Sequence, residues 1–316
     1  MEHTLRIVFM GTPDFAVATL DRIITSGYEV VGVITAPDRP AGRGRKLNES
    51  AVKKYATEKG LTVLQPTNLK DPDFLESLRS LKADVQVVVA FRMLPEAVWK
   101  MPKLGTFNLH ASLLPDYRGA APINWAVMNG EATTGVTTFF IDEKIDTGAI
   151  IMNAETPIGA SESAGELHDR LMEIGADLVV ETLDKIETGT ITTQKQPESD
   201  TLKTAHKIHR DTCKIDWNLP TQEIYNKVRG LSPYPAAWTT LISGSESLDI
   251  KIFKTTPEKV AIDQKPGTVI TSRDAIKVVT GDGTLNILEM QLPGKRKMSV
   301  KDILNGFQPS ADAEMR

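Results

Sequence analysis

Between Asp84 and Ala90 lies the feature that most limits what this chain can fold into: Val85, Val87, Val88 and Val89 form a nearly continuous apolar run. A strand with one face in water alternates apolar and polar residues, whereas a strand buried on both faces need not. This run therefore requires a sheet covered on both sides. Its neighbours agree. Leu5 to Met10 is a second short apolar run ending at Gly11, and Asp14 to Ser26 then carries apolar residues at helical spacing. Glu29 to Thr35 repeats the strand pattern and Glu49 to Gly60 the helical one. Thr106 to His110 and Gly135 to Ile141 read as further strands, and Ala164 to Ile186 as a long amphipathic helix. Strands alternating with helices predict an α/β fold, a doubly wound and mainly parallel sheet with helices on both faces.

The pattern changes after Glu187. Thr188 to Asp200 holds neither period over any length and reads as a linker. Apart from a helical stretch at Thr221 to Arg229, the rest consists of short β-prone runs between Gly, Pro and Asp clusters: Ala237 to Ile242, Leu248 to Phe253, Gly267 to Thr271, Ala275 to Thr280 and Thr284 to Met290. These predict a small OB-like β-barrel. The expected organisation is a catalytic domain at 1–189, a linker at 190–206 and the barrel at 207–316.

With 316 residues, 41% of them hydrophobic and 25% charged, two soluble globular domains are expected. No apolar run approaches the roughly 18 to 20 residues that span a bilayer, and no signal segment opens the chain, so a cytoplasmic protein is expected. Cys213, the single cysteine, excludes an internal disulfide and reads as a free structural thiol. No metal site is expected. The net charge of −4 conceals an asymmetry: residues 207–316 hold 16 Lys and Arg against 13 Asp and Glu, so the surplus of +3 there leaves −7 elsewhere. Overall acidity thus does not exclude a polyanionic partner.

Asn108 and His110 stand two apart on a predicted strand, so they project from one face, near the carboxyl end where open α/β sheets bind ligands. An amide donor and an imidazole, with the later Asp146 in Asp146-Thr147-Gly148, are the parts of an acyl transfer that needs no metal and no covalent nucleophile. When an amine attacks an acyl carbon, Asn108 can donate to the developing oxyanion. His110 can supply a second donor or move the proton, and Asp146 can orient the imidazole and favour its charged form. A lone histidine is more often a satisfied core residue. Of the five here, only His110 combines a strand end, a polar neighbour two residues back and a proline-bounded loop. Asp-Thr-Gly also occurs in aspartic proteases, which need a paired second copy; this chain has none. Gly11-Thr12-Pro13 fits neither a dinucleotide fingerprint nor a phosphate loop.

The segment Asn108-Leu109-His110-Ala111-Ser112-Leu113-Leu114-Pro115, together with Asp146, resembles the folate-dependent formyltransferase family. The resemblance implies a Rossmann-like catalytic domain with Asn108, His110 and Asp146 as its triad. It implies 10-formyltetrahydrofolate as a consumed cosubstrate, lying against Phe91, Arg92, Met93 and Leu94, against Ser112, Leu113, Leu114 and Pro115, and against the loop that begins at Ile141 and Asp142. Phe91-Arg92-Met93 departs from the Tyr-Gly pair found in many relatives. Within the family, Phe9 to Ala16, Pro37 to Leu47, Ile215-Asp216-Trp217 and Leu231 to Trp238 resemble members whose acceptor is the amino group of initiator methionyl-tRNA, which would place this chain in translation initiation.

The loop from Pro37 to Leu47 has its own physical logic: Gly42 and Gly44 are expected to keep it adaptable while Arg39, Arg43, Arg45 and Lys46 supply charge for phosphates. Lys207, Arg210, Lys295, Arg296 and Lys297 would extend that charge along the second domain. No protein partner is implied, and a monomer is expected. Two alternatives stay open from the residues: a formyltransferase for a small amine, such as an amino sugar nucleotide or glycinamide ribonucleotide, and an inactive RNA-binding relative.

Overall fold

A computed structural model describes residues 3–41, 46–261 and 263–316, in two compact units. The first comprises the chain up to Gly119, Thr134–Pro157 and His168–Thr204; the second comprises Ala120–Thr133, Ile158–Leu167 and Ala205–Arg316.

The first unit is built on a seven-stranded sheet: β1 (Arg6–Gly11), β2 (Glu29–Ile34), β3 (Val63–Leu64), β4 (Val85–Val89), β5 (Thr106–His110), β6 (Thr133–Phe140) and β7 (Ile150–Pro157), in the spatial order β7-β6-β5-β4-β1-β2-β3. Strands β3, β2, β1, β4 and β5 run parallel, and β6 pairs antiparallel with β5. The predicted mainly parallel sheet is thus present, with an antiparallel flank. Every residue of β4 is buried, Gln86 included, as its nearly continuous valines require. The chain moves outward from β1 to β3 and then returns to β4, so the strand order reverses between β1 and β4; ligands of open α/β sheets bind at such a reversal.

The covering helices include α1 (Asp14–Thr25), α2 (Ala51–Glu58), α3 (Pro72–Ser80) and α4 (Ala164–Glu187). Helix α4 buries Leu171, Val179 and Leu183 at helical spacing. Its Gly175 lies so close to Leu109 of β5 that an added Cβ would come within 2.7 Å of that side chain. Helix α3, strand β3 and strand β7 had no counterpart in the sequence reading. Short elements give weak periodic signals.

In the second unit, β8 (Ala237–Ser243), β9 (Glu246–Glu258), β10 (Val269–Thr271), β11 (Ile276–Val279), β12 (Thr284–Gln291), β13 (Met298–Ser299) and β14 (Glu314–Met315) form an antiparallel sheet in the order β10-β11-β12-β9-β8-β14, with β13 added to β12. The two outer strands meet. Met315 N–H donates to the Gly267 carbonyl at 2.8 Å and Val269 N–H to that of Ala313 at 3.1 Å, so the sheet curls into a barrel, as the short β-prone runs predict. Ile224, Val228 and Leu231 of helix α5 (Thr221–Leu231) pack into its core with Leu241, Ile252 and Ile287. Cys213 sits in that core, and burial raises its thiol pKa, in keeping with a structural role.

Replacing the fully buried Leu183 by Ala is expected to lower unfolding free energy by about 2–5 kcal/mol, read from denaturant midpoints. Ala at the exposed Glu181, on the opposite side of the same helix, should change it by no more than about 0.5 kcal/mol.

Candidate active site

Strand β5 presents Asn108 and His110 on one face because its side chains alternate. Asn108 is in register with Val88 on one side and Phe139 on the other, which defines the face. Phe91, Leu94 and Ile141 pack into the apolar cluster that contains Val88, while Leu114 clusters with Phe139 and Ile150. Residues from each of the three segments proposed to hold a folate therefore gather on the face that carries Asn108 and His110. Met93 and Ile145 leave large apolar side chains 66% and 61% exposed on two of those segments.

The loop after β5 is shaped by polar contacts. Thr137 Oγ1 donates to the Ser112 carbonyl at 2.7 Å and accepts from Leu114 N–H at 3.1 Å, while the buried Ser112 hydroxyl donates to the Asp116 carbonyl at 2.7 Å. Ser112 is thereby used up in holding the loop; Leu113 and Pro115 are partly exposed. In the Ile141 loop, Asp142 Oδ1 accepts from Lys144 N–H at 3.0 Å and from the Thr147 hydroxyl at 2.8 Å, which closes the turn that leads into Asp146. Arg92 donates to the carbonyls of Thr67 and Pro66 and lies over the Phe91 ring. Partial desolvation, followed by the charge of Arg39, lowers the Arg92 pKa.

His110 is buried, and its Nε2 lies 2.8 Å from the Tyr117 carbonyl oxygen. A carbonyl only accepts, so Nε2 carries a hydrogen and donates it. In the neutral ring the remaining nitrogen, Nδ1, is then the unprotonated one; it faces Asp146 Oδ2 at 3.8 Å. That distance suits Coulomb attraction and is too long for a hydrogen bond. The Tyr117 carbonyl, which the sequence reading passed over, is what orients the imidazole. The Asp146 carboxylate is held in turn by the Gly119 N–H, which donates to Oδ2 at 2.9 Å. Both Tyr117 and Asp146 adopt left-handed backbone, with φ of +60° and +55°. The Asn108 side chain makes no hydrogen bond to any described residue.

Sequence reasoning also missed Gln196. It stands four residues before Asp200 in the aperiodic stretch, yet it is 4% exposed. Its Nε2 donates to the carbonyls of Asp146 at 3.0 Å and Gly148 at 2.7 Å, and its Oε1 accepts from Arg118 Nε at 3.0 Å and Nη2 at 2.6 Å. Only its adjacent proline marked it in the sequence, and a proline says nothing of a site.

The expected cationic contacts fall into three groups. Arg43 and Arg45 lie outside the described residues. Arg39 is exposed on the short strand Arg39–Ala41, which pairs with Lys46–Asn48, where Lys46 begins. In the second unit Lys207, Lys295 and Arg296 are exposed and make no ion pair with a described residue, whereas two others are engaged. Arg210 pairs with Asp249 at 2.7 Å and stacks on Trp238, and Lys297 pairs with Glu289 at 2.9 Å. Among the described residues no His, Cys, Asp and Glu group is arranged to hold a metal, and no helix is long and apolar enough to cross a membrane.

Residues 5–183 match the formyl transferase family and residues 207–308 match the formyl transferase C-terminal domain. The chain is 56% identical over 311 residues to the methionyl-tRNA formyltransferase of Flavobacterium johnsoniae, covering 98% of this chain and 99% of that one. It is 50% identical over 320 residues to the methionyl-tRNA formyltransferase of Bacteroides fragilis, covering 100% and 99%. Among solved structures, the sugar 3N-formyl transferase WlaRD, determined with dTDP and 5-N-formyl-THF, superposes with a TM-score of 0.67 at 21% identity, over 93% of this chain and 100% of that one. HypX from Aquifex aeolicus in complex with tetrahydrofolic acid gives a TM-score of 0.65 at 21% identity, over 95% of this chain and 47% of that one. At such identity these two establish a shared fold.

A Cβ at Gly148 would sit 1.6 Å from the Phe140 carbonyl oxygen, so Gly148→Ala must displace the turn that carries Asp146 and should destabilise the fold by about 1–3 kcal/mol in thermal unfolding. Asp146→Asn retains an acceptor for Gly119 N–H and a residue type that tolerates positive φ, and should stay within about 1 kcal/mol of the parent.

Proposed function

The chain belongs to the formyl transferase family, and from that premise we propose that it moves the formyl group of 10-formyltetrahydrofolate to the methionine amino group of initiator methionyl-tRNA, using Asn108, His110 and Asp146. It is a one-carbon transferase, and its full-length similarity to methionyl-tRNA formyltransferases at 50% to 56% identity supports the acceptor. The donor, when bound, supplies an electrophilic formyl carbon attached to nitrogen. Phe91, Leu94, Leu114 and Ile141 would offer its apolar ring system the covered side of the sheet, with Met93, Ile145 and the main chain from Ile141 at its rim. Arg92, Ser112, Leu113, Pro115 and Asp142 would shape those loops.

The observation that carries the reading is the division of labour around His110. With Nε2 committed to the Tyr117 carbonyl, proton exchange falls to Nδ1, which faces the Asp146 carboxylate. Attack by a neutral amine puts negative charge on the formyl oxygen and positive charge on the amine nitrogen. Asn108, whose amide is engaged by no described residue, donates to the oxyanion. A protonated His110 adds a second, charged hydrogen-bond donor; it gives its proton to the folate nitrogen as the bond from that nitrogen to the formyl carbon breaks, and takes back the proton that the acceptor nitrogen must lose. Asp146 stabilises the imidazolium through space, since Coulomb attraction falls only slowly with distance and persists at 3.8 Å.

For the acceptor, Arg39, Arg43, Arg45 and Lys46 would meet phosphates near the reacting end, and Lys207, Arg210, Lys295, Arg296 and Lys297 would hold the RNA body. Lys207, Lys295 and Arg296 are the readiest, having no ion pair with a described residue to break first. The protein is expected to act as a monomer in the cytoplasm.

With labelled donor and charged tRNA, Asn108→Ala is expected to lower kcat about 10²- to 10³-fold and His110→Ala by about 10²- to 10⁴-fold. Wild-type rates in either variant would remove the residue from the mechanism. Lys295→Ala with Arg296→Ala should raise KM for tRNA and flatten its dependence on salt while leaving kcat in place; an unchanged salt slope would place the RNA elsewhere.

A further inference from the structure

We infer that Gln196 is a positioning residue that sets the separation of His110 and Asp146, an inference that rests on the formyl-transfer reading of that pair. The two groups do not hydrogen-bond to each other, so no directional contact between them fixes the 3.8 Å. Their distance is decided by what holds each one from outside. His110 is held by the Tyr117 carbonyl, and Asp146 by the Gly119 N–H on its carboxylate and by Gln196 on its main chain.

Arg118 lies between those two contacts. Its neighbour on one side accepts from His110, and its neighbour on the other donates to Asp146. Gln196 grips this residue and the Asp146 turn at once, through one planar amide. Its orientation is forced, since the carbonyls of Asp146 and Gly148 only accept while a guanidinium only donates. Both amide hydrogens and both lone pairs of the oxygen are then in use, and the side chain is 4% exposed. A buried amide with every position satisfied has one placement, and it imposes that placement on what it touches.

The segments it joins are ones that need such a tie. Tyr117 and Asp146 both hold left-handed backbone, a state that persists only where the surroundings over-determine it. The chain just beyond Gln196 braces the same loop again: Tyr117 N–H donates to the Lys203 carbonyl at 2.6 Å, and Lys203 N–H donates to Asp116 Oδ1 at 3.0 Å. Because a misplacement of about 1 Å in a catalytic group can cost on the order of 10² in rate, loosening the turn should appear in turnover before it appears in binding.

The test uses the full chain and two variants. Gln196→Leu removes all four hydrogen bonds; Arg118→Lys keeps the charge and loses the two-pronged grip. Gln196→Leu is expected to lower kcat about 10- to 100-fold with both KM values within about 3-fold of the parent, measured at a temperature where the variant is still fully folded. Its melting temperature falls, because two carbonyls and a guanidinium lose a buried partner. Nitrogen NMR of labelled histidine in alkaline buffer, with His110 identified by its loss in His110→Gln, should show the neutral ring of the parent in its Nε2–H form and a mixture of tautomers in the variant. Arg118→Lys should show the same spectral change with a smaller fall in kcat. Parental kcat and parental His110 signals in Gln196→Leu would overturn the inference, as would a loss of kcat that merely follows the fraction unfolded. Should Gln196→Leu fail to fold, unchanged His110 signals in Arg118→Lys overturn it instead. A parent chain that transfers no formyl group would sink the functional reading alone, because the spectra still report whether Gln196 and Arg118 control His110.

Discussion

A main-chain carbonyl that can only accept a hydrogen bond governs this site. The Tyr117 oxygen, 2.8 Å from His110 Nε2, fixes which ring nitrogen carries the permanent hydrogen, and so leaves Nδ1 as the nitrogen that faces Asp146 without that commitment. Had the carboxylate made the close contact instead, Nδ1 would hold its hydrogen for the carboxylate and the reactive nitrogen would be the other one. The loop that delivers this carbonyl turns through left-handed backbone at Tyr117 and is tied down by Thr137, Ser112 and Asp116. Much of the polar structure after β5 serves to hold that oxygen in place.

The sheet explains why such a loop is available. Strand β5 stands where parallel pairing with β4 gives way to antiparallel pairing with β6, and its carboxyl end opens into the loop 111–121, ahead of the short helix Pro122–Met128. Gly175 lets α4 come close against Leu109 on the opposite face, which fixes the strand from behind while Asn108 and His110 face forward. In the second unit the same demand for paired strand edges is met differently. There the outer strands join at Gly267, Val269, Ala313 and Met315, and a barrel with few free edges results.

The parts read correctly from sequence were those with a sustained period or a dense composition: the valine run of β4, the amphipathic face of α4, the short strands of the barrel. Asn108 and His110 were legible as a pair because a strand puts residues two apart on one face. Strand β7 was not, since its apolar start gives way to Asn153, Glu155 and Thr156, and α3 was passed over although Asp71 caps it and Phe74 and Leu78 lie four apart on its buried face. Gln196 was invisible for a deeper reason. Glutamine is a common surface residue, and its importance lies entirely in the two carbonyls and the guanidinium that surround it, which come from residues 48 to 78 positions away in the chain.

Local chemistry thus decided a good deal. Side-chain pattern decided the α/β and barrel halves, and an amide, an imidazole and a carboxylate supplied the functional groups of the proposed acyl transfer, because period and functional groups are properties of the chain itself. What only the folded molecule decided was the state in which those groups work. Which histidine nitrogen is free, how far the carboxylate stands from it, and that a glutamine from an aperiodic stretch sits behind both depend on contacts between residues far apart in sequence. Hydrogen-bond direction and distance exist only once the backbone has brought those residues together.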